Sequence, residues 1–177
     1  YLGDPFWIDA TLRSLQIGAG TAVLALVIGL PLSFGLARGR FLGRALIESS
    51  ISIPIIVPSI VFSIGSYSCF VSLGLVGEWY GVVVAHTVLA LPFVTIVLLT
   101  GLRTIDGNLE VAARGLGASR LKTVVFVTLP LIATNLYQAA FLAFITSFDE
   151  LVVAMFLAGQ NMTLPKKMFD DILNEIE

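Results

Sequence analysis

Four stretches of this chain carry no Asp, Glu, Lys or Arg: Ser14–Ala37, Ser49–Gly77, Trp79–Leu102 and Thr123–Phe148. Each exceeds the roughly 20 residues that a helix needs to cross hydrocarbon. Lipid leaves the backbone few options, because every N–H and C=O must be satisfied within the chain. The expectation is therefore an all-α membrane protein, a bundle with spans at about 14–37, 49–74, 80–102 and 129–148. A soluble bundle would need amphipathic helices to cover four such segments, and none are left over. Charged residues make up 12% of the chain, about half of what a soluble domain carries. A fifth apolar run, Leu151–Pro165, is too short to span and reads as interfacial or re-entrant.

With four spans the charges alternate between two sides. One side holds Arg38, Arg40, Arg44, Arg103, Arg114, Arg120 and Lys122 against Glu48, Asp106 and Glu110. The other holds Arg13, Lys166 and Lys167 against the remaining nine of the 12 acids. The excess of basic residues marks the first side as cytoplasmic, so both chain ends are expected outside. Tyr1-Leu2-Gly3-Asp4-Pro5 offers neither an initiator Met nor a basic leader, and the chain reads as one domain, 1–177, within a longer protein. A turn at Asp4-Pro5 with Thr11 or Ser14 as cap would open the first span.

Polar and helix-breaking residues inside the spans are few. Gly18, Gly20 and Gly29 let a neighbouring helix approach closely. Pro54 and Pro58 lie one turn apart and predict a kinked second span, as Pro92 does for the third. His86 is the single histidine; an ionisable side chain in a span invites a functional reading, yet it has no charged neighbour there and is assigned no chemistry. Cys69 is alone, so no disulfide framework exists. No cluster of side chains suggests a metal, and no cofactor is expected in this chain.

The segment 103–122, between the third and fourth runs, differs from its surroundings. Asp106-Gly107-Asn108 supplies turn and cap chemistry. A short helix comes next over Leu109–Arg114, with Leu109, Ala112, Ala113 and Leu116 spaced to share one face. Gly115 and Gly117 end that helix, and Ser119 caps a second that climbs through Arg120-Leu121-Lys122 to Leu129-Pro130. Helix, glycine elbow, helix makes a foot on the cytoplasmic side. The residues alone leave two roles open: docking in a pocket of another protein, or rest on anionic lipid.

Glu110, Ala112-Ala113, Gly117 and then Val127-Thr128-Leu129-Pro130 resemble the signature of permease subunits of ATP-binding-cassette importers, E-A-A, three residues, G, nine residues, I-x-L-P. Val111 stands where the usual glutamate aligns, with Glu110 beside it. "IPIIVPSIV", "HTVLALPFV" and "FITSFDELVVAMFLAGQNMTLPKKMFDDI" are similar to the subfamily that imports polyamines such as spermidine and putrescine; permeases for iron, thiamine, sulfate or molybdate share parts of the pattern. The resemblance implies a type I importer in the bacterial inner membrane, multi-pass, with six spans of which this chain holds four. It implies partners: two cytoplasmic ATPases that bind ATP and Mg, a second permease subunit identical or homologous, a periplasmic binding protein, and no nucleic acid. It also implies that Leu109, Glu110, Ala112, Ala113, Arg114, Leu116, Gly117 and Ala118 form a helix coupling ATPase closure to the spans.

Asp149 and Glu150 come after Pro130 by enough residues to lie roughly 28–30 Å along a straight fourth span, near the outer mouth. Two readings remain: they cap the next helix, or they attract a cationic substrate. Catalysis within the membrane would require a nucleophile–base pair or facing carboxylates. Adjacent residues on a helix do not face each other, so an enzyme is disfavoured, and a channel is the remaining alternative.

Overall fold

The computed structural model describes residues 5–176, all-helical with connecting turns and no strand among them; the turn expected at Asp4-Pro5 lies outside the described residues. Helices α1 (Pro5–Arg38), α5 (Trp79–Thr104) and α9 (Ala133–Phe148) pack on one another and form the core. Helices α1 and α5 are each long and apolar enough to cross a membrane. Gly20 lies against Val83 and Gly29 against Val94, so α1 and α5 run parallel. His86 meets Ser147 while Val97 meets Asn135, so α9 runs antiparallel to α5. The small residues do what their size allows: a Cβ on Gly29 would stand 2.7 Å from Cγ1 of Val94, and one on Gly18 2.9 Å from the Phe144 ring.

The first span starts earlier than its charge pattern suggests. Helix is in place by Pro5, so neither Thr11 nor Ser14 caps it. The Thr11 hydroxyl donates back to the Trp7 carbonyl at 2.8 Å. Ser14 Oγ accepts from the Leu164 N–H at 2.7 Å, which makes it the cap of α11 (Leu164–Ile176).

The second and fourth runs are broken rather than kinked. Helices α2 (Arg44–Ile51) and α3 (Ile53–Ile56) meet α4 (Ser59–Ser72) at a bend of 105°. Pro54 sits in the first turn of α3, where its missing N–H costs nothing. Pro58 forces Val57 out of helical angles, to ψ 122°, and α4 starts afresh at Ser59. After α7 (Arg120–Thr123), a π-turn (Val124–Thr128) and α8 (Leu129–Leu131), the chain bends by 76° before α9. A rise counted from Pro130 therefore does not apply; only α9 carries Asp149 along the bundle. Pro92, where a kink is expected, is buried inside α5, which continues through it unbroken. Close by, Thr95 Oγ1 donates to the Leu91 carbonyl and Ser33 Oγ to the Thr95 carbonyl.

The short run after α9 packs one face into the bundle and leaves Met155 and Phe156 exposed on the other. In α10 (Val152–Leu157), Val153, Ala154 and Leu157 are fully buried and pack on Ile17, Val82, Ala85 and Phe70. Two sets of contacts define the ends of the bundle. Arg38 reaches Glu110 and Arg103 reaches Glu48 at one end. Gly77 N–H donates to the Leu157 carbonyl, and Leu164 bonds to Ser14, at the other. The basic residues thus gather at the foot end.

Candidate functional site

The foot is a helix closed at both ends by its own side chains and turns. In α6 (Gly107–Gly115) the Asp106 carboxylate accepts from the Asn108 N–H at 2.9 Å, which satisfies an orphan donor of the first turn. Gly117 N–H then reaches the Arg114 carbonyl and Ala118 N–H the Ala113 carbonyl. This paired pattern needs a left-handed residue after the helix, and Gly117 supplies it with φ +92°. Gly115 is the last helical residue and has no positive φ, so the elbow belongs to Gly117 alone. Ser119 Oγ accepts from the Lys122 N–H and starts α7.

The outer surface of the foot is apolar and open. Leu116 is 91% exposed, Val111 57% and Leu109 47%. Ala112 is exposed and Ala113 half-buried, while Arg114 is exposed with its Nε turned to the Glu110 carbonyl. Glu110, one residue before Val111, points toward the bundle. Its side chain is only 16% exposed and takes a forked contact from Arg38 Nε and Nη2 at 3.1–3.3 Å. Its Oε1 also accepts from the Thr128 hydroxyl at 3.2 Å. Sequence spacing placed an acid here but could not find its partners, which come from 72 residues away and from within the π-turn.

The two acids at the far end of α9 part company. Glu150 Oε1 accepts from the N–H groups of Val152 and Val153, and Oε2 from the Ser59 hydroxyl at 3.2 Å. Asp149 closes α9 through its backbone, and its exposed carboxylate makes no hydrogen bond or ion pair with the described residues. Glu150 therefore caps α10 and ties it to α4, while Asp149 is open to solvent or a ligand.

Two features were not legible from the sequence. His86 Nδ1 lies 2.8 Å from Ser147 Oγ, and Ser147 donates to Thr21 Oγ1 at 3.1 Å. This polar chain joins α5, α9 and α1 inside the bundle, and His86 Nε2 is buried with no partner among the described residues. A cavity of about 520 Å³ opens at the end of α1 away from the foot, between Asp9, Arg13 and Gln16 on one side and Asn161 and Lys167 on the other. Only the polar residues in the first turns of α1 hinted at it.

Comparison with known proteins gives a consistent picture. The family described as "Binding-protein-dependent transport system inner membrane component" matches residues 22–173. A spermidine/putrescine transport system permease protein of Haemophilus influenzae is 29% identical over 92% of this chain. A molybdate/tungstate transport system permease protein of Thermococcus kodakarensis is 30% identical over 89%. The chain spans 63% of the length of each of these relatives. In fold it is similar to a chain of a bacterial ABC transporter involved in the import of the acidic polysaccharide alginate, with a TM-score of 0.78 at 21% identity, over 95% of this chain and 59% of that one.

Proposed function

Because the chain belongs to the family of binding-protein-dependent inner-membrane transport components, we propose that it forms part of the translocation pathway of an ATP-driven importer. Its proposed partners are a pair of cytoplasmic ATPases, a second permease subunit and a periplasmic binding protein. ATP and Mg would bind the ATPases, not this chain.

The observation that carries this reading is the foot. An apolar helix face stands clear of the bundle, at the end where the basic residues gather, with Leu109, Ala112 and Leu116 exposed. Ala113 between them presents a methyl group to whatever docks. The test is Ala113→Arg in the full-length protein. A charge cannot enter a pocket shaped for a methyl group unpaired without a cost of several kcal/mol. The expected result is loss of uptake, or of the co-purified ATPase, with membrane insertion intact. Normal uptake and normal ATPase recovery would place the foot on lipid instead.

The substrate class we propose is a polyamine. Support comes from the resemblance to polyamine permeases and from Asp149, whose open carboxylate suits a polycation. Asp149→Asn should lower the maximal uptake rate at saturating loaded binding protein, because the defect lies after docking. Wild-type import by this variant would remove the cation reading. A second reading, import of an oxyanion, is supported by the molybdate/tungstate relative. It differs in its outcome, since removal of a negative charge would then leave the rate unchanged or raise it.

A further inference from the structure

We propose that Glu110 is a positioning residue that clamps the foot to α1 as well as to the fourth span, so that movement of the foot is passed to two parts of the bundle together. The inference rests on the reading of α6 as the ATPase contact, and concerns what happens after that contact is made. An isolated ion pair at a surface holds little, but Glu110 is not isolated. Its carboxylate takes the planar fork of Arg38, a geometry that a flexible point charge would not reproduce. The same group takes the hydroxyl of Thr128, which is fully buried. Three elements converge on one carboxylate: the last turn of α1, the foot, and the π-turn at the root of the fourth span.

Direction separates this role from docking. Neighbouring residues on a helix point about 100° apart, so Val111 faces outward at 57% exposure while Glu110 faces the bundle. The outward face is free for a partner, and the inward carboxylate is already engaged. Through the chain alone the foot would move α5 at its start and α7 and the π-turn at its end, the segments joined directly to it. Arg38 gives it a hold on α1, whose length packs against α5 and α9. The π-turn, tied to the same carboxylate through Thr128, is the second part of the bundle that moves with it. Its wider hydrogen-bond ring holds one residue more than an α-turn, is rare and falls frequently at functional sites, and Thr128 is its last residue.

The test uses the full-length protein in its complete complex, with two readouts: ATPase recovered on purification and ATP hydrolysed per solute imported. Glu110→Gln, Arg38→Gln and Thr128→Val should each keep the ATPase bound while the ATP used per solute rises at least about fivefold, the low end of measured coupling between sites. Thr128→Ser, which keeps the hydroxyl, should behave as wild type. The swap Arg38→Glu with Glu110→Arg should bring the ratio back toward the wild-type value. An unchanged ratio in the three single variants would overturn the clamp. So would a normal ratio with ATPase lost from Glu110→Gln, which would make Glu110 a docking residue. If wild-type protein holds no ATPase, the reading of the foot itself fails, and the clamp falls with it; that outcome is distinct from a bound ATPase with unaltered coupling.

Discussion

Ser147 Oγ lies 3.1 Å from Thr21 Oγ1 and 2.8 Å from His86 Nδ1, and His86 Nε2 is buried with no partner among the described residues. Ser147→Ala would strand both ring nitrogens. The expected loss of stability is about 1–3 kcal/mol, seen as a lower melting temperature of the purified full-length protein in detergent; no change would mean that other groups or water satisfy the ring. The sequence showed a histidine within a span and nothing about its partners, because Ser147 lies 61 residues away. The acids at 149 and 150 are a parallel case. Their position after a long apolar run was legible, but their different employment was not. Glu150 is held by Ser59, 91 residues distant, and that contact exists only once α4 has turned at Pro58. At position 117, by contrast, local chemistry sufficed. The helix-ending pattern demands a left-handed residue, and Gly117→Val should cost on the order of 1–3 kcal/mol of local strain, read as reduced ATPase recovery with normal membrane insertion.

Among the elements, those whose shape is set locally were the easiest to read. The capped foot and the long helices α1 and α5 arise from Asp106, Ser119, Gly117 and uninterrupted apolar runs. The broken spans do not. Pro58 and Pro130 announce that a helix must stop or bend, but the angles of 105° and 76° depend on which neighbours receive the next segment. Helix α10 is similar: one face of a short apolar run is buried because Ile17, Val82 and Phe70 provide a place for it. Close packing of α1 on α5 also has a measurable consequence. Gly29→Val would force methyl groups into the space of Val94, where even a Cβ comes within 2.7 Å of Cγ1. Overpacking of this kind costs typically about 1–3 kcal/mol, so the variant should melt earlier than wild type; an unchanged melting temperature would show that the two helices separate easily.

At the scale of the whole molecule, the parallel course of α1 and α5 and the reversed course of α9 give the bundle two chemically distinct ends. Arg38, Arg103 and the foot share one, and the Ser14–Leu164 cap lies at the other. On the charge excess we propose that the first faces the cytoplasm. Single cysteines replacing Arg40 and Arg114, in full-length protein lacking Cys69, should react with an impermeant reagent only after the membrane is opened. Cysteines at Trp7 and Lys166 should react from outside, and labelling of position 114 from outside would invert the map. The central claim, that the foot seats in an ATPase, has a direct measurement. A photo-reactive side chain placed at Leu116, the most exposed apolar residue of the foot segment at 91%, should cross-link the full-length protein to its co-expressed ATPase. The same group at Phe141 on α9, 66% exposed, should not. Cross-linking of position 116 to lipid alone, with the ATPase present and folded, would contradict the account.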